Sequence, residues 1–172
     1  LPELQREWVR LVLTETLEYD RESLVEACDW PDELPSVSSL EHAGTFKPDW
    51  IVRSPADEKP RLFIAVLPPD TDLESVQRGD GWPVSLQERM TLLCRAHGVR
   101  VGLLTDGERW MLVTAPVGST SSQASWYARL WFQEPITLKA FQSLLGVRRC
   151  FGPAEDTLET LLTKSLEHHE EV

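Results

Sequence analysis

Few residues in this sequence are placed to do chemistry. Asp49 stands between Pro48 and the apolar run Trp50-Ile51-Val52, where its carboxylate either ligates a hard cation or caps a turn. Arg89, Arg95, Arg100 and Arg109 form the densest cationic run, with Arg148 and Arg149 as a second pair. Guanidinium groups so grouped contact phosphates, meet an acidic neighbouring domain, or make ordinary surface ion pairs. His97 falls on an apolar helical stripe just before Gly98, where an imidazole satisfies helix-end carbonyls. His168 and His169, among Glu167, Glu170 and Glu171, read as a solvated helix face rather than a metal site. Cys28, Cys94 and Cys150 are far apart with no CxxC spacing, so they predict buried free thiols, not a disulfide framework or a thiolate zinc site.

The elements that must position these groups follow from periodicity and punctuation. Leu4, Trp8, Leu11 and Val12 keep helical spacing, which predicts an amphipathic helix over 3–19 with an acidic outer face. Residues 28–47, with Pro31, Pro35 and Gly44, read as a long loop with one short strand. Strands follow at Trp50–Arg53 and Arg61–Leu67, the second nearly continuous in apolar residues and therefore buried and central. Pro68-Pro69 ends it, and residues 69–84 read as a mobile surface loop that leaves Trp82 exposed.

Ser85 and Glu88 then form a capping box, Met90, Leu93 and Cys94 share a face, and Gly98 takes the residue beyond the helix end. A buried strand over Val99–Thr105, an Asp106-Gly107 turn and a strand over Arg109–Thr114 come next. Ser125–Phe132 reads as an aromatic strand, Thr137 as the cap of a helix closed by Gly146, and Pro153 as the start of a last helix. The expected fold is α/β (α+β), a mixed sheet flanked by helices over 1–134, followed by a C-terminal helical extension over 135–172.

Composition narrows the function classes. A chain of 172 residues, 41% hydrophobic and 26% charged, is long enough for one ordinary core. The net charge of −11 argues against a free-standing DNA binder, which presents a basic footprint to phosphates. No run of about 18 apolar residues is present, and the expected location is the cytoplasm, with no membrane partner. The start without Met and the acidic helical run at the end suggest an N-terminal piece of a larger polypeptide.

Pro48-Asp49 followed by the strand Arg61–Leu67 resembles the PD-(D/E)xK nuclease core, in a degenerate form. That resemblance implies an Asp at one strand's start and a Glu-x-Lys on the next, two carboxylates holding a divalent metal and a lysine positioning the attacking water. Ala65 occupies the acid's place and Leu67 the lysine's. The text Gly98-Val99-Arg100-Val101-Gly102-Leu103-Leu104-Thr105-Asp106-Gly107-Glu108-Arg109-Trp110 is similar to a stretch of the N-terminal nuclease-like domain of type I and type IIG restriction–modification proteins. Residues from Trp126 onward look like the segment that precedes the methyltransferase region in large adenine methyltransferases of phage-defence systems.

The resemblance implies a catalytically silent module with Asp49 as a vestigial metal ligand, no cofactor of its own, and a parent that methylates DNA adenine with S-adenosylmethionine. Asn-Pro-Pro-Tyr, a methyltransferase motif, does not occur in this chain. Its partners would be other domains of the same polypeptide, other defence-system subunits, and DNA in the parent's context. Arg89, Arg95, Arg100 and Arg109 would be the contact residues, and Gln87 would correspond to a glutamine near the scissile phosphate or to a helix-surface residue. One alternative is an active Mg2+-dependent nuclease whose acid and lysine have moved, with Glu58, Lys59, Glu15 or Glu18 as replacements. Another is a pure protein–protein interaction domain, which the net charge and the scattered tryptophans suit.

Overall fold

The computed structural model describes residues 2–151 and 157–170. In chain order these form α1 (Pro2–Leu11), β1 (Leu24–Glu26), β2 (Val37–Ser38), β3 (Thr45–Phe46), β4 (Trp50–Arg53) and β5 (Pro60–Val66). There follow β6 (Val76–Gln77), β7 (Val84–Ser85), α2 (Leu86–Ala96), β8 (Val101–Thr105), β9 (Arg109–Thr114), β10 (Ser122–Tyr127), α3 (Pro135–Leu145), α4 (Val147–Phe151) and α5 (Leu158–Glu170). The fold is mixed α/β, built on a six-stranded sheet in the order β1-β4-β5-β8-β9-β10, with two small two-stranded sheets beside it. Its neighbours are antiparallel except β5 and β8, which run parallel because α2 carries the chain back between them. No helix among the described residues is long and apolar enough to cross a membrane.

Register decides which side chain meets which layer. Trp50 lies opposite Ile64 and Ile51 opposite Phe63, and paired residues in an antiparallel ladder share a face. Trp50, Val52, Leu62 and Ile64 therefore join the core under α1 and α3, with Val9, Leu13, Trp110, Phe141 and Leu145. Ile51, Phe63 and Ala65 turn to the opposite core under α2, with Met90, Leu93 and Cys94. Leu158 of α5 is buried in the first of these cores. Both faces of β5 are covered, which is why its sequence shows an apolar run in place of alternation.

Several local expectations hold and others change. The Ser85 hydroxyl accepts the Glu88 N–H at 3.2 Å, Gly98 takes the left-handed conformation at φ 68°, and the Asp106 carboxylate accepts the Glu108 and Arg109 N–H groups to close the turn. The first helix stops being α at Leu11 and widens into a π turn over Val12–Thr16, closed by Leu17 N–H on Val12 O at 3.0 Å. Thr137 lies inside α3 rather than capping it: Pro135 starts the helix after Glu134, which makes no side-chain cap. The aromatic strand ends at Tyr127, with a 3-10 turn over Ala128–Leu130. Cys28 is exposed, whereas Cys94 is buried. The start placed at Pro153 lies outside the described residues.

The largest correction concerns residues 69–84. This Asp-, Gly- and Pro-rich stretch is pinned by the β6–β7 hairpin and by two inward anchors, Leu73 at 0% and Trp82 at 4% exposure. Trp82 is buried because α2 offers it a cation: the Arg89 guanidinium lies 4.8 Å from its ring. Gly44 packs against Trp82, and a Cβ there would come within 2.4 Å of Trp82 Cβ. Gly44→Ala is therefore expected to cost about 1–3 kcal/mol and to lower the melting temperature by several degrees. Gly79→Ala, with nothing within 4 Å of its added Cβ, is the control. Equal melting temperatures for the two variants would show that Trp82 does not pack against Gly44.

Candidate functional site

Asp49 lies at the end of the sheet where β5 and β8 finish and α1 begins. Its N–H donates to Ile64 O at 2.7 Å and its carbonyl accepts Ala27 N–H at 2.9 Å, so the ladder continues one residue before β4. Ile64 is also the partner of Trp50, so against β5 Asp49 is an extra residue, in a bulge at the start of β4. One carboxylate oxygen, Oδ2, accepts the Val66 N–H at 2.7 Å. Burial pushes the Asp49 carboxyl above the usual carboxylate range, and the Val66 N–H and the nearby Arg6 charge offset this only in part.

The positions that the resemblance assigns to an acid and a lysine lie in hydrocarbon. Ala65 is 2% exposed, and Leu67 packs with it into the cluster that holds Phe46, Leu73, Trp82 and Leu86. From above, α1 closes the strand ends: the Gln5 amide donates to Leu67 O at 2.7 Å and to Asp106 O at 2.6 Å, and the Trp8 indole N–H donates to Gly107 O at 2.7 Å. The group nearest in charge to Asp49 is a cation. Arg6 lies 4.7 Å above the Trp50 ring and bonds Glu26 at 2.8 Å.

A hard divalent cation takes about six oxygen ligands. Here a single carboxylate with one oxygen engaged faces an apolar wall and an arginine, and that set does not fit Mg2+. Among the described residues no group of His, Cys, Asp and Glu side chains is arranged to hold a metal. The carboxylates and lysine considered as replacements do not gather at Asp49. Glu58 and Lys59 lie in the turn at the opposite end of β4 and β5, with Glu58 paired to Arg53 at 3.7 Å. Glu15 and Glu18 line a groove beside α3.

The four candidate arginines are likewise distributed. Arg89 is 3% exposed, with its guanidinium bonded to both Asp80 oxygens and to the Val84 and Trp82 carbonyls. That fork holds Asp80 far below the usual carboxylate range, at about 2. Arg109 pairs with Glu74 at 3.1 Å and bonds Ser125 at the Asp49 end of the sheet. Arg95 and Arg100 are exposed at the other end, bonded to Ser119 O at 2.7 Å and to the Thr163 hydroxyl at 3.2 Å. Gln87 is half-buried on α2, and its backbone N–H donates to Leu73 O. His97 closes α2, its Nε2–H donating to Ser36 O at 3.0 Å, with its ring edge-on to Phe63. The side chains of His168 and His169 lie outside the described residues.

Gln5, Arg6 and Glu26 carry the geometry here, and sequence reasoning passed over them. Their partners lie roughly 20 to 100 positions away, so no local spacing announces them.

No family model matches the chain, and no curated protein does either.

The raised Asp49 carboxyl has a sign that can be checked. A carboxyl whose folded value lies above its unfolded one binds more protons folded, so stability falls as pH rises from the unfolded value, near 4, through the folded value. Asp49→Asn keeps an oxygen for the Val66 N–H and removes the buried charge. At pH 7 the variant is expected to melt at a higher temperature than the parent, with the gap closing below about pH 4. A variant that melts lower at pH 7 would show that the ionised carboxylate is the stabilising form.

Proposed function

We propose that this chain is a catalytically silent, nuclease-like module of a restriction–modification or phage-defence protein, used for docking rather than for cutting DNA. One observation carries the reading. Asp49 keeps its place at the end of a strand, while the positions that should complete a metal site, Ala65 and Leu67, are built into an apolar cluster. The main-sheet order supports it too: β4, β5, α2, β8, the Asp-Gly turn and β9 follow the order on which the resemblance rests, with the small β6–β7 hairpin inserted before α2.

Docking is favoured over DNA positioning by the cations. Of the four arginines considered, one is buried and bonded within the chain, one is paired to Glu74, and two lie at the far end of the sheet. In a chain of net charge −11, these four arginines are not gathered into one basic face for phosphates. In this reading S-adenosylmethionine and adenine methylation belong to the parent polypeptide, and DNA is met through it. The cytoplasm is the proposed location, in keeping with cysteines that are all free thiols.

The test is incubation of the purified chain with supercoiled plasmid and Mg2+ or Mn2+, beside Asp49→Ala. No nicked or linear product is expected from either protein. Nicking by the parent chain that disappears in Asp49→Ala would overturn the silent reading.

A further inference from the structure

The two edge strands of the six-stranded sheet are built differently. β1, at one edge, is three residues long, its outward Leu24 N–H donates to Asp20 O at 2.9 Å, and a 3-10 turn over Ala27–Asp29 follows it. Short length and a filled donor keep an edge strand from pairing with another chain. β10, at the opposite edge, pairs with β9 over six residues without a bulge. Its sequence, Ser122-Gln123-Ala124-Ser125-Trp126-Tyr127, contains no proline, no glycine and no charged side chain.

Alternation decides which backbone groups of β10 are used. Ala128 N–H donates to Glu108 O at 2.8 Å, so the even-numbered residues bond β9, and Gln123, Ser125 and Tyr127 turn their N–H and C=O groups outward. Among the described residues no backbone or side-chain group bonds these outward donors and acceptors. An open ladder edge of this kind is a template for one more strand.

The side chains of the outward residues are already held from within the chain. Glu74 accepts the Gln123 amide N–H at 2.8 Å, and Ser125 Oγ accepts Arg109 Nε–H at 3.0 Å. The Tyr127 ring lies 5.8 Å from the Arg109 guanidinium and 5.2 Å from that of Arg129. Little rotamer freedom is left to lose when a strand is added. The row carries the half-exposed Glu74 carboxylate at its Gln123 end and the exposed Arg129 guanidinium, 3.6 Å from Glu108, at its Tyr127 end.

We propose that β10 is a docking edge for a second copy of this chain, the two strands pairing antiparallel about a twofold axis at Ser125. Outward residues of one strand face those of the other, which sets Ser125 opposite Ser125, Gln123 opposite Tyr127 and Ala124 opposite Trp126. The Glu74 end of each copy then meets the Arg129 end of the other, and the smallest side chain of the strand lies across from the largest. A parallel pairing would set like ends together. Because β10 has no charged residue of its own, the antiparallel pairing places no like charges directly across the axis.

A six-residue strand pair is a small interface, so the dimer is expected to be weak, with Kd on the order of 10 to 100 μM. Sedimentation of the full chain should show a dimer fraction that rises across that range, at about 0.15 M salt, where charges more than roughly 8 Å apart are screened. Backbone amide exchange should slow at Gln123, Ser125 and Tyr127 as the dimer fills. Ser125→Pro removes an outward N–H and no ladder bond to β9, and Ser125→Lys sets two cations face to face across the axis. Each is expected to weaken association at least about tenfold, and Ser125→Lys to melt within a few degrees of the parent.

A chain that stays monomeric at about 500 μM, or a dimer that neither substitution weakens, overturns the proposal. So does a dimer whose slowed amides lie on α1, α2 or α3 in place of β10, because the second copy would then dock elsewhere. Should Ser125→Pro fail to fold, Ser125→Lys decides, since its side chain extends into water from an edge strand. The inference does not depend on the nuclease resemblance: plasmid cleavage bears only on Asp49, and association only on β10.

Discussion

Leu62, Phe63, Ile64 and Ala65 are consecutive residues of one strand, and none of them has more than 2% of its surface open to water. A strand buried on both faces requires a layer on each side, and the rest of the molecule supplies them. On one side α1 and α3 bring Val9, Leu13 and the Trp110–Phe141–Trp131 ring cluster, with centroids 5.0 to 6.3 Å apart. On the other side α2 covers the middle of the sheet, and the 69–84 segment, with Phe46, covers its end. Because the strand ends must be sealed as well as its faces, Gln5 and Trp8 bind the carbonyls of Leu67, Asp106 and Gly107. The end of the sheet at Asp49 is thereby closed by α1 on one side and by the 69–84 segment on the other.

This closure accounts for the state of Asp49. A carboxylate that accepts a backbone N–H gains about 1.5–3 kcal/mol from the charge-assisted bond, yet taking it out of water costs a comparable amount or more. The carboxyl is displaced upward, so desolvation wins at this position. What Asp49 does in the folded chain is satisfy the Val66 N–H at the end of β5, a task that needs an oxygen and not a charge. The same comparison separates Asp80. It is exposed, meets the fork of a buried arginine, and is displaced downward, because there the opposite charge and the hydrogen bonds outweigh a small desolvation cost.

The sequence was most legible where one physical rule acted locally. Ser85 with Glu88, Gly98, and Asp106-Gly107 each close their own backbone within three residues, and the structure has them so. The apolar run of β5 announced a central strand because only a strand covered on both faces tolerates it. Trp82 was misread because its immediate neighbours, Gly81 and Pro83, are turn residues, whereas its burial comes from Arg89 on α2 and Gly44 from the preceding segment. Arg89 was misread in the mirror sense. Its helical position looked cationic and open, and its partners Asp80 and Trp82 O lie in the segment that had been taken for a free loop. The distribution of the arginines and the approach of Gln5 and Arg6 to the strand ends are properties of sheet order, which no window of local residues contains.

Ala65 and Leu67 matter to the cover of the sheet beyond their own side chains. Leu73 and Trp82 belong to the same apolar cluster as Ala65 and Leu67, and Trp82 is held there by Arg89 and by the absence of a side chain at Gly44. A glutamate at position 65 would be an unpaired charge inside that cluster, a cost of several kcal/mol that the raised Asp49 carboxyl would increase by like-charge repulsion. A lysine at position 67 could carry its ammonium outward along its stem, since Leu67 is only partly buried, and so would not by itself offset that charge. A charged side chain at position 65 would therefore require moving the 69–84 segment, and moving it would uncover the strand that the whole fold is built around. The apolar cover over Ala65 and the raised carboxyl of Asp49 both follow from the burial of this end of the sheet.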